Sequence, residues 1–459
     1  MAAEIACYVP TLKVAGHEFK DESFDTRQWT GLCMVKDALE QAGFEVDFCS
    51  AATVNRYRLV LASLTSDRSV WEFWRERARW APGDYKVAVG GFGVLNPQML
   101  LGLADYLQLG RDEKTVLELA DAVLRGHTLH GGSIIHTPDY SPAEEYRLEQ
   151  TRETYPREVR LAKTVYREGH IGCNHKCAFC GYSWHRLNVG GEFRNDFGEG
   201  RIDQERAMLE LKRSDFADLR HLRVTALDGS SERLRFMVNK RIADADVEEL
   251  LARLCDHGGG NVKLFNVVGY PTEALADWKD LIGVFERAEA RSRPRTPMMG
   301  MGLHNTPFRA FPLTPMACAP MAYREYRKMF GAMAPGLPGG QFFKGRALFG
   351  TEDFGCDSLA ATAMSCMVWR GGVELAGTLK RLALHDRFWK AGTRTKLATL
   401  EAVCDIRRLF DAKDPAELPT SNIRTYARVE RMYDRYRWLE PATTGAKRRW
   451  RPYTSPSDP

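Results

Sequence analysis

Three thiols stand close together in Gly172-Cys173-Asn174-His175-Lys176-Cys177-Ala178-Phe179-Cys180-Gly181. On a turn, sulfurs at this spacing can converge on one metal centre. Iron–sulfur cubanes are normally held by four thiolates, so a set of three leaves one iron open to an exogenous ligand. Two other uses of the same residues stand beside this one. A zinc ion could take the three sulfurs with His175 or His185 as fourth ligand, or the three could be unrelated buried thiols. The chain has 11 cysteines. It has no run of about 18 apolar residues and no basic-then-apolar leader, so a cytosolic location is expected. In that compartment clustered cysteines serve metals or catalysis rather than disulfides. Cys318, Cys356 and Cys366 have no close pair and read as small buried hydrophobes.

Further polar residues fall where apolar runs end. Leu227-Asp228-Gly229-Ser230-Ser231-Glu232-Arg233-Leu234 is an apolar strand entering a small-residue turn. Gly229, Ser230 and Ser231 let backbone approach a ligand closely, and Glu232 could grip an ammonium or a ribose. The same residues fit a helix start with Glu232 in its first turn. Asn266 lies in Val262-Lys263-Leu264-Phe265-Asn266-Val267-Val268-Gly269-Tyr270-Pro271-Thr272-Glu273, and His304 ends another apolar run as a proton donor or substrate contact. Met298, Met299 and Met301 read as core strand.

The string C-x-x-x-C-x-aromatic-C resembles the signature of the radical S-adenosylmethionine superfamily. The resemblance continues in the 227–234 and 262–273 segments and in Asn305-Thr306-Pro307-Phe308 with Phe311-Pro312-Leu313-Thr314-Pro315, and spans about 158–316. It implies a [4Fe-4S] cluster on Cys173, Cys177 and Cys180 whose open iron chelates the amino and carboxylate groups of S-adenosyl-L-methionine. Electron transfer into the sulfonium would then release a 5′-deoxyadenosyl radical. It also places Phe179 near the adenine, and Gly229, Ser230, Ser231, Glu232 and Asn266 around the cofactor. Glu232 and His304 are the candidate catalytic residues. An electron donor such as a flavodoxin or ferredoxin is implied as a partner.

These residues need elements to hold them. The first 136 residues alternate apolar runs at Glu4–Val9, Phe44–Cys49, Tyr57–Ser63 and Lys86–Gly90 with helical spacing at Gly31–Ala42 and Ser69–Ala78. That is the pattern of a doubly wound parallel sheet, a Rossmann-like domain. Residues 137–157 lose periodicity and gather Pro138, Pro142 and Pro156, as a connector does. From 158 to 322 strand and helix alternate again, with apolar runs at Leu222–Leu227, Val262–Val268 and Met298–Leu303, which predicts a full or partial (β/α) barrel. Residues 323–459 read as a mostly helical C-terminal region. It has a loop at Pro335–Gly345, helices at Ser358–Met367, Glu374–Leu384 and Thr395–Phe410, and the basic tail Lys447-Arg448-Arg449-Trp450-Arg451. The fold class is therefore α/β.

Lys86-Val87-Ala88-Val89-Gly90-Gly91-Phe92-Gly93 and the residues after it resemble the end of the cobalamin-binding domain joined to many radical enzymes. Glycines after a strand admit a flat or phosphate-bearing ligand. No Asp-x-His-x-x-Gly string is present to ligate cobalt, and His17 lacks its context, so cobalamin stays open. The domain either holds it without a histidine or no longer holds it. Without cobalt, the substrate radical would rearrange, making the chain an isomerase or modifying enzyme. With methylcobalamin it would be a C-methyltransferase. A non-enzymatic iron–sulfur protein is the remaining class. The resemblance extends to phage radical isomerases that rearrange an aminoacyl group on thymine in hypermodified DNA, so a small-molecule or nucleotide- or DNA-linked substrate is expected. The net charge of +5 allows this without requiring a polyanionic partner. No membrane partner is expected.

Overall fold

Strand β1 (Ile5–Tyr8) lies between β2 (Val46–Cys49) and β3 (Leu59–Ser63), all parallel. The computed structural model describes residues 3–10, 30–150, 157–161, 164–168, 170–171, 173, 176–185, 189–190, 225–256, 262–291, 301–322 and 356–441. The sheet continues through β4 (Lys86–Gly90) and β5 (Tyr106–Gln108), and the later strand β7 (Ile134–His136) closes it antiparallel to β5. The order β2-β1-β3-β4-β5-β7 is that of a doubly wound sheet. Each expected strand is found within two residues of its sequence limits. The strands carry apolar side chains on both faces because both are covered. Ile5, Cys7, Leu59 and Leu61 pack toward α1 (Thr30–Gln41) and α3 (Glu113–Leu124). Tyr8, Val60, Val87 and Val89 pack with the aromatic stripe of α2 (Asp67–Arg77). Helix α1 ends at Gly43, whose φ of 91° only glycine adopts freely.

The connector is structured where it is described. After β6 (Gly110–Arg111) and β7, the strands β8 (Tyr146–Arg147) and β9 (Glu149–Gln150) follow. β9 pairs with β6, and β8 pairs with a strand from the far end of the chain, β17 (Ile423–Arg424). Two-residue strands offer no period to read, so these pairings within the expected connector leave no mark in the sequence. Two hairpin-like pairs follow, β10 (Arg157–Leu161) with β11 (Thr164–Glu168) and β12 (His170–Ile171) with β13 (Val189–Gly190).

Among the described residues the barrel pattern is realised as three parallel strands, β14 (Thr225–Ala226), β15 (Val262–Val268) and β16 (Met301–Pro307). β15 has the expected bounds. β16 runs on past the apolar segment through His304, Asn305 and Thr306, because pairing with β15 continues to Val268↔Pro307. Residues 298–300 and 222–224 lie outside the described residues. The short α4 (Gly181–Trp184) follows the cysteines and α5 (Glu232–Met237) follows β14. α6 (Asp244–Asp256) and α7 (Leu275–Arg291) pack against each other beside the strands.

The C-terminal region contributes α8 (Cys356–Arg370), α9 (Val373–Ala383), α10 (Asp386–Lys390), α11 (Thr393–Val403), α12 (Ile406–Phe410) and α13 (Asp434–Arg437). The single helix expected over Thr395–Phe410 is two. Cys404 is extended, and Asp405 accepts from the Arg408 amide at 3.2 Å to start the second. Pro335–Gly345 and the basic tail lie outside the described residues. The stripe of α2 docks on this region. Trp71 donates to the Met364 carbonyl at 3.3 Å and stacks on Phe388, and Asn96 donates to Val368 and Gly371 at 2.7 and 2.9 Å. Buried Arg370 donates to four carbonyls, of Leu409, Asp411, Ala317 and Ala319, tying α12 to the segment after β16. Among the described residues no helix is long and apolar enough to cross a membrane.

Candidate active site

The thiol loop is strapped down by its backbone. Lys176 adopts a φ of 51°, turning the chain so that Cys177 is 5% exposed while Cys173 and Cys180 stay half-buried. The Cys177 carbonyl accepts from the Trp184 indole at 2.8 Å and from the Cys180 amide at 3.0 Å. Ala178 donates to Val238 at 2.8 Å, and Asn239 donates to the Lys176 carbonyl at 3.1 Å. Gly181 is obligatory, since a Cβ there would stand 2.7 Å from the Phe311 ring. Burial, first of all, pushes the Cys177 thiol well up. The Asp228–Lys240 ion pair, 2.8 Å across with Lys240 only 3% exposed, faces the same thiol with one charge of each sign. Phe179 packs 5.8 Å from Tyr270, whose hydroxyl donates to the Asp228 carbonyl at 3.0 Å.

The strand-end turn after β14 is pinned to the turn after β15. Asp228, at φ 54°, and Leu227 both donate to the Phe265 carbonyl. Ser230 donates to Glu273 at 2.5 Å, and Ser231 donates to Asp277 at 2.6 Å while accepting from Leu234 as the cap of α5. Arg233 completes the tie with an ion pair to Asp277 at 2.6 Å. Glu273 also accepts from the Gly269 and Tyr270 amides. Burial, with the neighbouring Asp277 carboxylate adding to it, pushes its carboxyl up to about 7.

The expected ligand-facing residues thus have specific places. The hydroxyls of Ser230 and Ser231 are committed to carboxylates. Gly229 is a close approach within the protein, a Cβ there meeting Arg235 at 3.0 Å. Glu232 stands in the first turn of α5 and accepts from the Asp244 amide at 2.8 Å, at the start of α6. Asn266 is fully buried and donates to Asn305 at 3.1 Å across the β15–β16 register. The remaining Asn266 carbonyl and Asn305 amide nitrogen are buried with no partner among the described residues. His304 is on β16, but its side chain lies outside the described residues, as does His175. His185 spends Nε2 on the Pro312 carbonyl at 2.8 Å. Cys318 and Cys366 are buried, as expected. Sequence reasoning named Asp228 and Glu273 within their strings without giving either a role, and did not single out Lys240. Their signal was a charged side chain next to a strand-end turn.

A cavity of about 530 Å³ opens at the carboxyl ends of β3, β4 and β5. Its wall includes Ser63, Gly90, Gln108 and Gly31, where a Cβ at Gly31 would touch nothing within 4 Å. The far side is Tyr182 and His185, on and just after the helix that follows Cys180. The helix that follows the thiol loop therefore borders the cavity at the sheet edge. Among the described residues no three His, Cys, Asp or Glu side chains are grouped as for a single metal ion. A cubane does not ask for that grouping, because each thiolate takes a different iron. Cys177 is buried and Cys173 and Cys180 lie nearer the surface, and a closed zinc site would need a fourth converging ligand beside these three thiols.

No family model and no curated protein matches this sequence. Among solved structures, the chain is similar to the radical S-adenosylmethionine methyltransferase TsrM from Kitasatospora setae with cobalamin and [4Fe-4S] cluster bound. The TM-score is 0.44 with 15% identity, over 69% of this chain and 77% of that one. It is also similar to the cobalamin-dependent S-adenosylmethionine radical enzyme OxsB with aqua-cobalamin and S-adenosylmethionine bound. There the TM-score is 0.39 with 8% identity, over 95% of this chain and 84% of that one. Likenesses at this level leave the chemistry to be argued from this chain's own residues.

Proposed function

We propose that this chain is a radical S-adenosylmethionine enzyme, with a [4Fe-4S] cluster on Cys173, Cys177 and Cys180. The observation that carries the reading is the thiol loop held at Lys176–Cys180 beside a strand-end turn, with the helix after Cys180 reaching the wall of a ligand-sized cavity through Tyr182. The chemistry the cluster supplies when bound is one-electron reduction of the sulfonium, which starts hydrogen abstraction from the substrate. The chain's own residues do the rest. The Lys176 turn presents the thiols, and Trp184 and Val238 fix the loop. Lys240 and Asp228 set the local field at Cys177. Phe179 and Tyr270 wall the site with aromatic surface. The unspent acceptor of Asn266 and donor of Asn305 form a pair suited to a ligand group that both donates and accepts. The electron arrives from a small reduced protein such as a flavodoxin or ferredoxin.

Within this class we read the reaction as a carbon-radical rearrangement on a nucleotide-linked substrate, because the sequence has no string to place a histidine under cobalt. The sheet-edge cavity favours a second reading, cobalamin-dependent C-methyl transfer. The cavity is of ligand size, and Gly31, Gly90, Gly91 and Gly110 stand in its lining beside larger side chains such as Phe92, Arg111 and Tyr182. The test is anaerobic reconstitution, then 5′-deoxyadenosine measured from S-adenosylmethionine and dithionite, alongside titration with hydroxocobalamin. Deoxyadenosine without cobalamin binding supports the rearranging enzyme. Stoichiometric cobalamin, abolished by Gly90→Phe, would replace it with the methyltransferase. No S-adenosylmethionine binding and no deoxyadenosine would end the radical reading.

A further inference from the structure

A second cavity, of about 630 Å³, lies on the seam where β8 and β9 meet β17 and the residues after it. Leu148 lines both cavities, and the β6–β9 pair stands between them: Gly110 faces the first and Glu149 the second. The second cavity's lining includes Arg147, Arg424, Arg428, Arg431 and Tyr426. Arg147 and Arg424 are held by Glu145, at 4.0 and 3.1 Å. Arg428 and Arg431 are exposed and have no ion pair among the described residues. Arg428 sits at φ 49°, a conformation that costs a non-glycine residue, and its amide donates to Thr425 at 3.1 Å.

The lining mixes three chemistries. Unpaired guanidiniums match the geometry of phosphate oxygens. The carboxylates of Glu149 and Glu430 accept from hydroxyls. Tyr426 is 41% exposed with Lys176 Nζ 5.4 Å from its ring centroid, and an aromatic ring in the lining can stack a base. The Tyr426 hydroxyl bonds Lys176 Nζ at 2.9 Å, one residue from Cys177. We propose that this cavity binds a nucleotide: a phosphate on the two arginines, a sugar toward the carboxylates and a base on the tyrosine. The volume suits a molecule of that size. The cavity's volume and its mixed lining of four arginines and three glutamates favour a single nucleotide over a strand, which would need a continuous basic track. As a binding site this stands alone; as the seat of the substrate it rests on the radical reading above.

The experiment is calorimetric titration of the full chain with thymidine 5′-monophosphate, which shares no base with S-adenosylmethionine. Wild type is expected to bind, with inorganic pyrophosphate competing. The double variant Arg428→Gln, Arg431→Gln should bind at least ~10-fold more weakly at an unchanged Tm, since both side chains are exposed. Arg68→Gln, a surface arginine on α2, should bind as wild type does. No binding by wild type, equal binding by the double variant, or tighter binding of a single-stranded oligonucleotide would each overturn the proposal. Iron content and deoxyadenosine formation are read separately. Nucleotide binding with no deoxyadenosine would defeat the radical reading and leave this site standing.

Discussion

Glu273 is the residue on which burial and hydrogen bonding pull in opposite directions. Desolvation raises its carboxyl to about 7, while Ser230 and two backbone amides favour the charged form. Its folded-state value lies above the unfolded one of about 4.5. The folded state therefore holds a proton that the unfolded state has lost between pH 4.5 and 7. Stability contributed by this group is full below that window and falls as pH rises through it, by about 2 to 3 kcal/mol. Glu273→Gln should flatten the fall in Tm between pH 5 and 7; an unchanged slope would show that another group titrates there. The sequence showed Glu273 at the end of the turn but not its role, because a Gly-Tyr-Pro-Thr-Glu string does not show that Ser230 lies across from it. The three cysteines were legible because their spacing is local. The commitments of Ser230, Ser231 and Glu232 were not, since each partner is 12 to 46 residues away.

At the scale of elements, periodic segments were readable and short ones were not. Lys86–Gly90 and Val262–Val268 have the limits their apolar runs predict. The helix over 395–410 was misread because amphipathic spacing continues across Cys404-Asp405, while the backbone breaks there on a side-chain cap. The strands of the connector were invisible because their partners come from β6 and from β17, the latter more than 270 residues on. The β6–β9 pair depends on Gly110, at φ 85°, where a Cβ would stand 2.0 Å from the Glu149 carbonyl oxygen. Gly110→Ala should cost about 2 kcal/mol or more in urea unfolding. Gly126→Ala, at φ 78° with nothing within 4 Å, should cost only the dihedral part, about 1 kcal/mol. Equal losses at the two sites would mean that the close approach does not matter.

Across the whole molecule, the N-terminal sheet and the C-terminal helices enclose the thiol loop from two sides. Asn96 and Trp71 fasten α8 to the sheet domain, Arg370 fastens it to the residues after β16, and Tyr426 reaches the loop itself through Lys176. None of this docking was readable from composition or period. It rests on single polar side chains meeting carbonyls 50 to 290 residues away. What the sequence did announce was that a metal-competent thiol set precedes parallel strands, and the structure puts that set next to a ligand-sized space. The most direct test of the account is iron bound per chain after anaerobic reconstitution, in wild type and in Cys177→Ala. The account predicts about four irons in wild type and loss of the cluster in the variant. Iron-free wild type, zinc in its place, or equal iron in both would contradict it.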